Sequence, residues 1–143
     1  MSTLEKAIEI AAINHAGDKD KAGAPYLLHP LRLMFAVRTE FEMMVAVLHD
    51  VVEDTSISLQ DLENEGFHPD VIMAVDALTK RPGESRIESA SRAASNSIAR
   101  NVKLADVNDN MDLKRISVPK DKDFERLKEY AEVRKFLINH GAT

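Results

Sequence analysis

The sequence predicts an all-α protein, a single helical bundle over residues 1–143. Apolar residues recur at helical spacing in most segments, and no run shows the alternation of a β-strand. The 143 residues suit one compact domain, and 44% of them are hydrophobic, which is enough for a buried core. No internal repeat, low-complexity tract or interdomain linker divides the chain.

The first two helices are predicted from capping signals and apolar stripes. Ser2 and Glu5 form an S-x-x-E capping box, so the first helix is expected to begin there. Its inward stripe is Leu4, Ile8, Ala11 and Ala12. His15 continues that stripe and is expected to be a hydrogen-bonded core histidine. After the polar loop "GDKDKAGAP", His29-Pro30 is expected to open a second helix. The inward residues of this helix are Leu31, Met34 and Phe35.

The middle of the chain predicts three further helices. The third runs from about Phe41 to Asp54, and it is apolar nearly all round from Met43 to Val52, a pattern typical of a buried helix. Ser58 with Asp61 predicts a short helix, and Pro69 begins another at a favourable first position.

The last third predicts two long helical regions. One passes through Ile87 and Ala105 after the loop "KRPGES", with a restart at Ser97. The segment "SVPKDKD" then interrupts the chain. The inward stripe of the final helix is Phe124, Leu127, Ala131 and Leu137. Gly141 is expected to cap that helix.

Composition excludes several classes of protein. The formal net charge of −5 argues against nucleic acid as a partner, because duplex binding needs clustered Lys and Arg. The absence of cysteine excludes disulfides, thiolate metal sites and cysteine nucleophiles. No apolar stretch approaches the ~20 residues needed to cross a bilayer, and the N-terminus does not resemble a signal peptide. A cytoplasmic protein without nucleic-acid or membrane partners is expected.

The segment "LHDVVEDT" places four polar groups on the most apolar helix. His49 and Glu53 are four residues apart, as are Asp50 and Asp54, so the four side chains share one patch. Burying several carboxylates together is costly, because like charges favour protonation. A divalent cation bound by His49 and Asp50 removes this conflict. The alternative is a buried charge cluster satisfied by an arginine from outside the helix.

Two distant residues are candidates to complete a metal site. His29 stands at a predicted helix start, and Asp106 lies on the apolar stripe of the region before "NDNM". With His49 and Asp50 they supply two nitrogen and two oxygen ligands. That donor set suits Mn²⁺ or Fe²⁺, with Zn²⁺ as a further option. No other histidine is spaced to support a second ion, so one ion is expected.

Three segments together resemble a known family. The segments "HAGDKDKAGAPYLLHP", "AVLHDVVEDT" and "VKLADVNDNM" resemble the HD-domain hydrolases of guanosine 3′-pyrophosphates. More narrowly, they are similar to the hydrolase domain of RelA/SpoT-type enzymes and to the small alarmone hydrolases. The resemblance spans roughly residues 4–140 and implies an HD-type helical bundle.

The resemblance also implies a role for each matched side chain. The metal ligands would be His29, His49, Asp50 and Asp106. Glu53 and Asp54 would position or deprotonate the attacking water. The substrate, guanosine tetra- or pentaphosphate, would contact Lys21, Asn110, Arg126 and Tyr130. The products would be GDP or GTP and pyrophosphate, and a homodimer is compatible with the family.

Three positions depart from the family pattern. Asp20 precedes Lys21 where many relatives carry arginine, and Val107 and Asp112 occupy positions that are often basic. Two alternatives therefore stay open. One is an HD phosphohydrolase of another phosphorylated nucleotide, such as an NADPH phosphatase. The other is an alarmone-binding module without catalytic activity.

Overall fold

The computed structural model describes residues 1–140, and within that range it is an all-α bundle, as predicted. The helices are α1 Leu4–Asn14, α2 Leu28–Ala36, α3 Glu40–Asp54, α4 Leu59–Asn64, α5 Pro69–Leu78, α6 Arg86–Ala94, α7 Ser97–Asn110 and α8 Asp121–His140. A 3₁₀ turn, Leu113–Arg115, lies between α7 and α8. None of these helices is long and apolar enough to cross a membrane.

Helix α3 lies at the centre of the bundle and packs against α1, α2, α5 and α7. It begins with a capping box, in which Thr39 accepts from the backbone N–H of Glu42 and the Glu42 carboxylate accepts from that of Thr39. Its buried apolar residues are Met44, Val45, Ala46, Val47, Leu48 and Val51. A helix that is apolar on every face must be covered by other helices on every side. The sequence of α3 therefore places it at the centre of the bundle.

The buried apolar residues form two clusters. The larger cluster draws on the first five helices, on Ala93 of α6 and on the inner face of α7. The smaller cluster consists of Ala90, Val107, Val133 and Leu137 and lies where α8 packs on α6 and α7. Helix α7 contributes to both clusters, because Val102 belongs to the larger and Val107 to the smaller.

Several predicted helix starts agree with the structure. Ser58 and Asp61 form the capping box of α4, and Pro69 occupies the first position of α5. Helix α7 restarts at Ser97, where the side chain of Asn96 accepts from the backbone of Ala99. Each of these starts has a local hydrogen-bonding signal, which is why sequence alone locates them.

The first two helices begin elsewhere than predicted. Thr3, not Ser2, caps α1 by accepting from the backbone N–H of Lys6 at 3.2 Å. The backbone N–H of Ser2 instead donates to the carbonyl of Gly66 at 2.9 Å, which draws Ser2 toward the end of α4. Helix α2 begins at Leu28, so Pro30 is its third residue, where a missing N–H still costs no helical hydrogen bond.

Two predicted apolar stripes are partly wrong. Phe35, expected to face inward, is 81% exposed at the end of α2, and Phe124 is 47% exposed at the start of α8. Of the predicted stripe of α8, Leu137 is buried as expected, but Ala131 is exposed and Val133 is buried in its place. Its charged sequence constrains orientation weakly, so packing against α6 and α7 decides the buried face. The expected cap at Gly141 lies outside the described residues.

Candidate metal centre

The structure brings the four predicted ligands together inside the bundle. His29 comes from α2, His49 and Asp50 from α3, and Asp106 from α7, and all four are buried. His29, His49 and Asp50 each offer one atom within 4.8 Å of the others. The Asp106 Oδ1 atom lies 2.9 Å from His29 Nε2 and 3.8 Å from His49 Nε2.

Hydrogen bonds orient both imidazoles toward this point. His49 Nδ1 donates to the carbonyl oxygen of Ala46 at 2.8 Å, one turn earlier on α3. That bond directs His49 Nε2 toward Asp50 Oδ1, 3.1 Å away. His29 Nδ1 lies 2.6 Å from Asp109 Oδ2, which fixes the second ring in the same way. Such partners on the far ring nitrogen are typical of metal-binding histidines.

The charges of the cluster stabilise one another. Burial by itself lowers the pKa of His49, but the negative charge of Asp50 and contacts with Asp106 raise it to about 9. Burial raises the pKa of Asp106, yet Lys103, His29 and His49 together hold it well below its usual range. A cation bound here must displace protons from the imidazoles, so its affinity is expected to rise with pH.

The donor set fits a divalent cation. Two imidazole nitrogens and two carboxylate oxygens converge in a buried place, and imidazole with carboxylate is a common ligand set for divalent metals. In the described residues, the ion pairs of Asp50 and Asp106 involve His29, His49 and Lys103. The arginines nearby, Arg32 and Arg115, pair with Asp109 instead, so an arginine-neutralised cluster does not describe this site.

Glu53 and Asp54 lie one turn beyond the ligands on α3, and both are more exposed than the sequence suggested. Glu53 Oε1 accepts from the backbone N–H of Lys80 at 3.2 Å. Partial desolvation, followed by the charge of Asp50, raises the pKa of both carboxyls. Glu53 also borders a cavity of about 180 Å³ with His49, Asp50 and basic side chains.

A larger cavity, of about 350 Å³, opens next to the ligands. His29, Asp50 and Asp106 lie in its wall. The wall also contains all four residues expected to contact substrate, Lys21, Asn110, Arg126 and Tyr130. Asn110 Nδ2 donates to Asp106 Oδ1 at 3.3 Å, and the Arg86 guanidinium lies 4.8 Å from the centre of the Tyr130 ring.

Sequence reasoning missed two residues that support the ligands. The Tyr26 hydroxyl donates to Asp50 Oδ2, and Asp109 joins His29 to Arg32, whose Nε lies 2.7 Å from Asp109 Oδ1. Tyr26 precedes His29 by three residues and Asp109 follows Asp106 by three. That spacing was the available signal for Asp109, because residues three apart share a helix face.

The structure also shows the surroundings of His15 and of two positions that depart from the family pattern, Val107 and Asp112. His15 is buried, at 2% exposure, and its ring centre lies 5.1 Å from that of Tyr26. Neither ring nitrogen has a hydrogen-bond partner in the described residues, so the expected hydrogen bond is wrong. Val107 packs in the smaller apolar cluster. The Asp112 side chain accepts from the backbone N–H of Lys114 at 2.9 Å.

Known proteins similar to this chain decide its family. A guanosine-3′,5′-bis(diphosphate) 3′-pyrophosphohydrolase of Drosophila melanogaster, MESH1, is 30% identical over 138 residues, which are 87% of this chain and 76% of that protein. The chain belongs to the guanosine-3′,5′-bis(diphosphate) 3′-pyrophosphohydrolase family. A solved structure of a metazoan ortholog of SpoT, described as hydrolysing ppGpp, matches 98% of this chain with a TM-score of 0.75 and 27% identity, over 85% of its own length.

Two bacterial proteins similar to this chain are much longer than the aligned region. A GTP pyrophosphokinase of Streptomyces coelicolor is 39% identical over 82 residues, which are 54% of this chain and 9% of that protein. A guanosine-3′,5′-bis(diphosphate) 3′-pyrophosphohydrolase of Borreliella burgdorferi is 32% identical over 82 residues, 12% of its length. The chain therefore spans about a tenth of these relatives. No protein-family model matches the chain.

Proposed function

We propose that this protein hydrolyses guanosine 3′-pyrophosphates, ppGpp or pppGpp, to GDP or GTP and pyrophosphate, and that residues 1–143 act as one catalytic domain. The observation that carries the proposal is the juxtaposition of two sets of residues. Three of the four buried His and Asp side chains form part of the wall of a cavity that also contains Lys21, Asn110, Arg126 and Tyr130. Membership of the pyrophosphohydrolase family supports the same reaction.

The ion proposed for this site is Mn²⁺, with Fe²⁺ or Zn²⁺ as alternatives of similar ligand preference. The ligands would be His29, His49, Asp50 and Asp106. When bound, such an ion lowers the pKa of a water molecule and polarises a phosphoryl oxygen. Tyr26 and Asp109 support this role, because each hydrogen-bonds a ligand on the side away from the other ligands.

Glu53 and Asp54 are proposed to orient the attacking water and to accept its proton. Glu53 Oε1 accepts from the Lys80 backbone N–H, and Glu53 Oε2 has no hydrogen bond to residues 1–140. The pKa of both carboxyls is raised by partial burial and by the charge of Asp50, so both are stronger bases than an exposed acid, which favours accepting a proton from water. Water is the nucleophile in this scheme, so no serine or cysteine is required.

Basic side chains in the cavity are proposed to bind the phosphate groups. Lys21 and Arg126 line it near the ligands, and each offers N–H donors to phosphate oxygens. Their positive charge offsets the charge that develops on the leaving pyrophosphate. Tyr130 and Asn110 complete the wall, where the nucleoside would lie.

The experiment is a measurement of pyrophosphate release from ppGpp by the purified protein loaded with Mn²⁺. We expect GDP and pyrophosphate in equal amounts, and no release after chelation with EDTA. Replacing Glu53 by glutamine should lower kcat roughly 100-fold or more while the bound metal content stays unchanged. A loaded protein that leaves ppGpp intact would exclude the reaction, and an E53Q variant with normal kcat would exclude the role of Glu53.

A second candidate is hydrolysis of another phosphorylated nucleotide, such as removal of the 2′-phosphate from NADPH. The acidic residues Asp20, Asp112 and Asp123 in the cavity wall favour a substrate with fewer charges than ppGpp. A panel of ppGpp, NADPH and nucleoside monophosphates separates the two, because kcat/KM should be highest for the physiological class. Binding of ppGpp without turnover of any member would indicate a non-catalytic alarmone-binding module.

A further inference from the structure

Asp20 places a carboxylate in the wall of a cavity that should bind phosphates. The Asp20 side chain stabilises the loop, because its Oδ1 atom accepts from the backbone N–H groups of Ala22 and Ala24, both at 2.9 Å. These bonds close the loop that carries Lys19 and Lys21. The negative charge remains, however, and an unpaired carboxylate at this place repels an anionic ligand.

Arg115 lies against the other oxygen of that carboxylate. Its Nη1 atom is 3.2 Å from Asp20 Oδ2, and its Nη2 atom donates to the carbonyl of Asp109 at 3.2 Å. Nη2 also lies 3.6 Å from Asp109 Oδ2. Arg115 therefore joins the cavity loop to the residue that orients His29, across 95 positions of sequence.

We infer that Arg115 is a specificity-determining residue, which neutralises Asp20 so that a phosphate group can lie beside the loop lysines. The inference rests on the proposed function only in taking a phosphorylated compound as the ligand. Apart from the metal ligands, the cavity wall contains four cationic and three anionic side chains. Without Arg115 the two signs are equal in number, and the carboxylate nearest the loop lysines becomes unpaired.

The test is a double-mutant cycle on the affinity of the Mn²⁺-loaded protein for inorganic pyrophosphate, measured by calorimetry. The R115M variant leaves Asp20 unpaired, so pyrophosphate should bind at least about tenfold more weakly. The D20N variant removes one negative charge from the cavity wall and leaves Arg115 in contact with Asp109 alone among the described residues, so pyrophosphate should bind more tightly than to the wild type. The double variant D20N/R115M should return to within about twofold of the wild type.

The variants are chosen to separate charge from structure. Asparagine keeps an Oδ1 acceptor for the Ala22 and Ala24 N–H groups, so D20N retains the loop hydrogen bonds. The R115K variant keeps the positive charge and should retain most of the affinity. Arg134 is the matched control, because it is exposed on α8, bonds only Asn108 among the described residues, and lies outside this cavity. R134M should therefore leave the affinity unchanged.

A merely structural role for the Asp20–Arg115 pair gives a different pattern. In that case D20N and R115M would both weaken binding, R115K would behave like R115M, and the double variant would be the weakest of all. That pattern, or an R115M affinity equal to that of R134M, overturns the inference. Pyrophosphate binding does not require turnover, so the cycle can succeed while the ppGpp assay fails, and the two failures are distinguishable.

Discussion

Helices α3 and α8 both border the candidate site, but they are held in the fold very differently. Helix α3 buries nine of its 15 residues and packs against four other helices. Helix α8 is longer, with 20 residues, yet buries only Asp123, Val133 and Leu137 and packs on α6 and α7. The proposed metal ligands belong to the tightly packed helix and its neighbours, and the proposed substrate contacts Arg126 and Tyr130 belong to the lightly packed one.

This difference separates two demands on a phosphohydrolase site. Metal ligands must hold their positions to within a fraction of an ångström, and a fully packed helix provides that rigidity. Substrate contacts tolerate more movement and are easier to change in sequence, because few packing contacts depend on them. We therefore expect α3 substitutions to affect metal and stability, and α8 substitutions to affect the substrate.

The largest effect is expected at Asp106, on the α7 helix beside α3. Replacing it by asparagine keeps the shape but removes a charged ligand, so pyrophosphate release should fall more than about 1,000-fold. Elemental analysis should find little bound metal in the variant. The control is D121N on the exposed start of α8. Normal metal content in D106N would show that Asp106 is not a ligand.

Leu48 and Leu137 give a direct comparison of the two helices, since both are fully buried leucines. Leu48→Ala in the larger cluster should lower the free energy of unfolding by about 3–5 kcal/mol, because the packed surroundings cannot collapse into the cavity. Leu137→Ala in the smaller cluster should cost about 2–3 kcal/mol, because α8 can shift to fill the space. Urea unfolding measures both, and a larger loss for L137A would contradict the comparison.

A substitution at Arg126 tests the proposed contact with substrate separately from metal binding. Replacing it by methionine should raise KM for ppGpp about tenfold or more, because a charge-assisted contact to phosphate is lost. Metal content should not change, since α8 supplies none of the proposed ligands. The matched control is K128M, an exposed position on the same helix. A fall in metal content for R126M would show that α8 and the ligands are coupled.

The smallest effect is expected at Glu42, in the cap of α3. Its Oε2 atom accepts a hydrogen bond from Nδ2 of Asn101 on α7 at 2.7 Å. Burial raises the pKa of Glu42, but hydrogen bonds from Thr39, Asn101 and Arg38 outweigh it and leave the pKa lower than usual. A lowered pKa in the folded state contributes stability above the unfolded pKa, and that stability is lost as the pH falls.

Substituting glutamine for Glu42 should therefore cost about 0.5–1 kcal/mol at pH 7, mainly through the lost charge at the helix N-terminus. The difference from wild type should shrink as the pH falls below the ordinary pKa of a glutamic acid and disappear once the pH passes below the lowered pKa of folded Glu42. Thermal unfolding across this pH range measures it. A difference that does not shrink as the pH falls would assign the effect to shape and not to charge.

The same contrast explains how far sequence alone could reach. The apolar run of α3 could be assigned from its residues, and so could the adjacent His49-Asp50 pair, because such a pair on a buried helix needs a compensating charge. His29 and Asp106 were only candidates from the residues, and the resemblance to HD-domain hydrolases implied the full set of four. The bounds of α3 were predicted to within one residue. The orientation of α8 and the exposure of Phe35 could not be predicted, because their sequences allow more than one face to turn inward.

Contacts between residues that are distant in the chain also could not be predicted from the sequence. Asp20 was identified as an acid where many relatives carry arginine, but nothing local reveals that Arg115, 95 positions later, lies against it. Tyr26 was missed for a similar reason, since its contact with Asp50 depends on how α2 meets α3. Periodicity and capping give local structure, whereas charge pairing across a fold depends on tertiary geometry.

The buried position of His29, His49, Asp50 and Asp106 has a consequence for engineering. These side chains occupy a place where leucine or valine would pack without any ion, and a buried polar cluster is often less stable than an apolar replacement of equal volume. A variant with apolar residues at these four positions should therefore have a higher free energy of unfolding and no catalytic activity. Selection for thermal stability alone would favour loss of the polar cluster, so such a selection must also require catalytic activity.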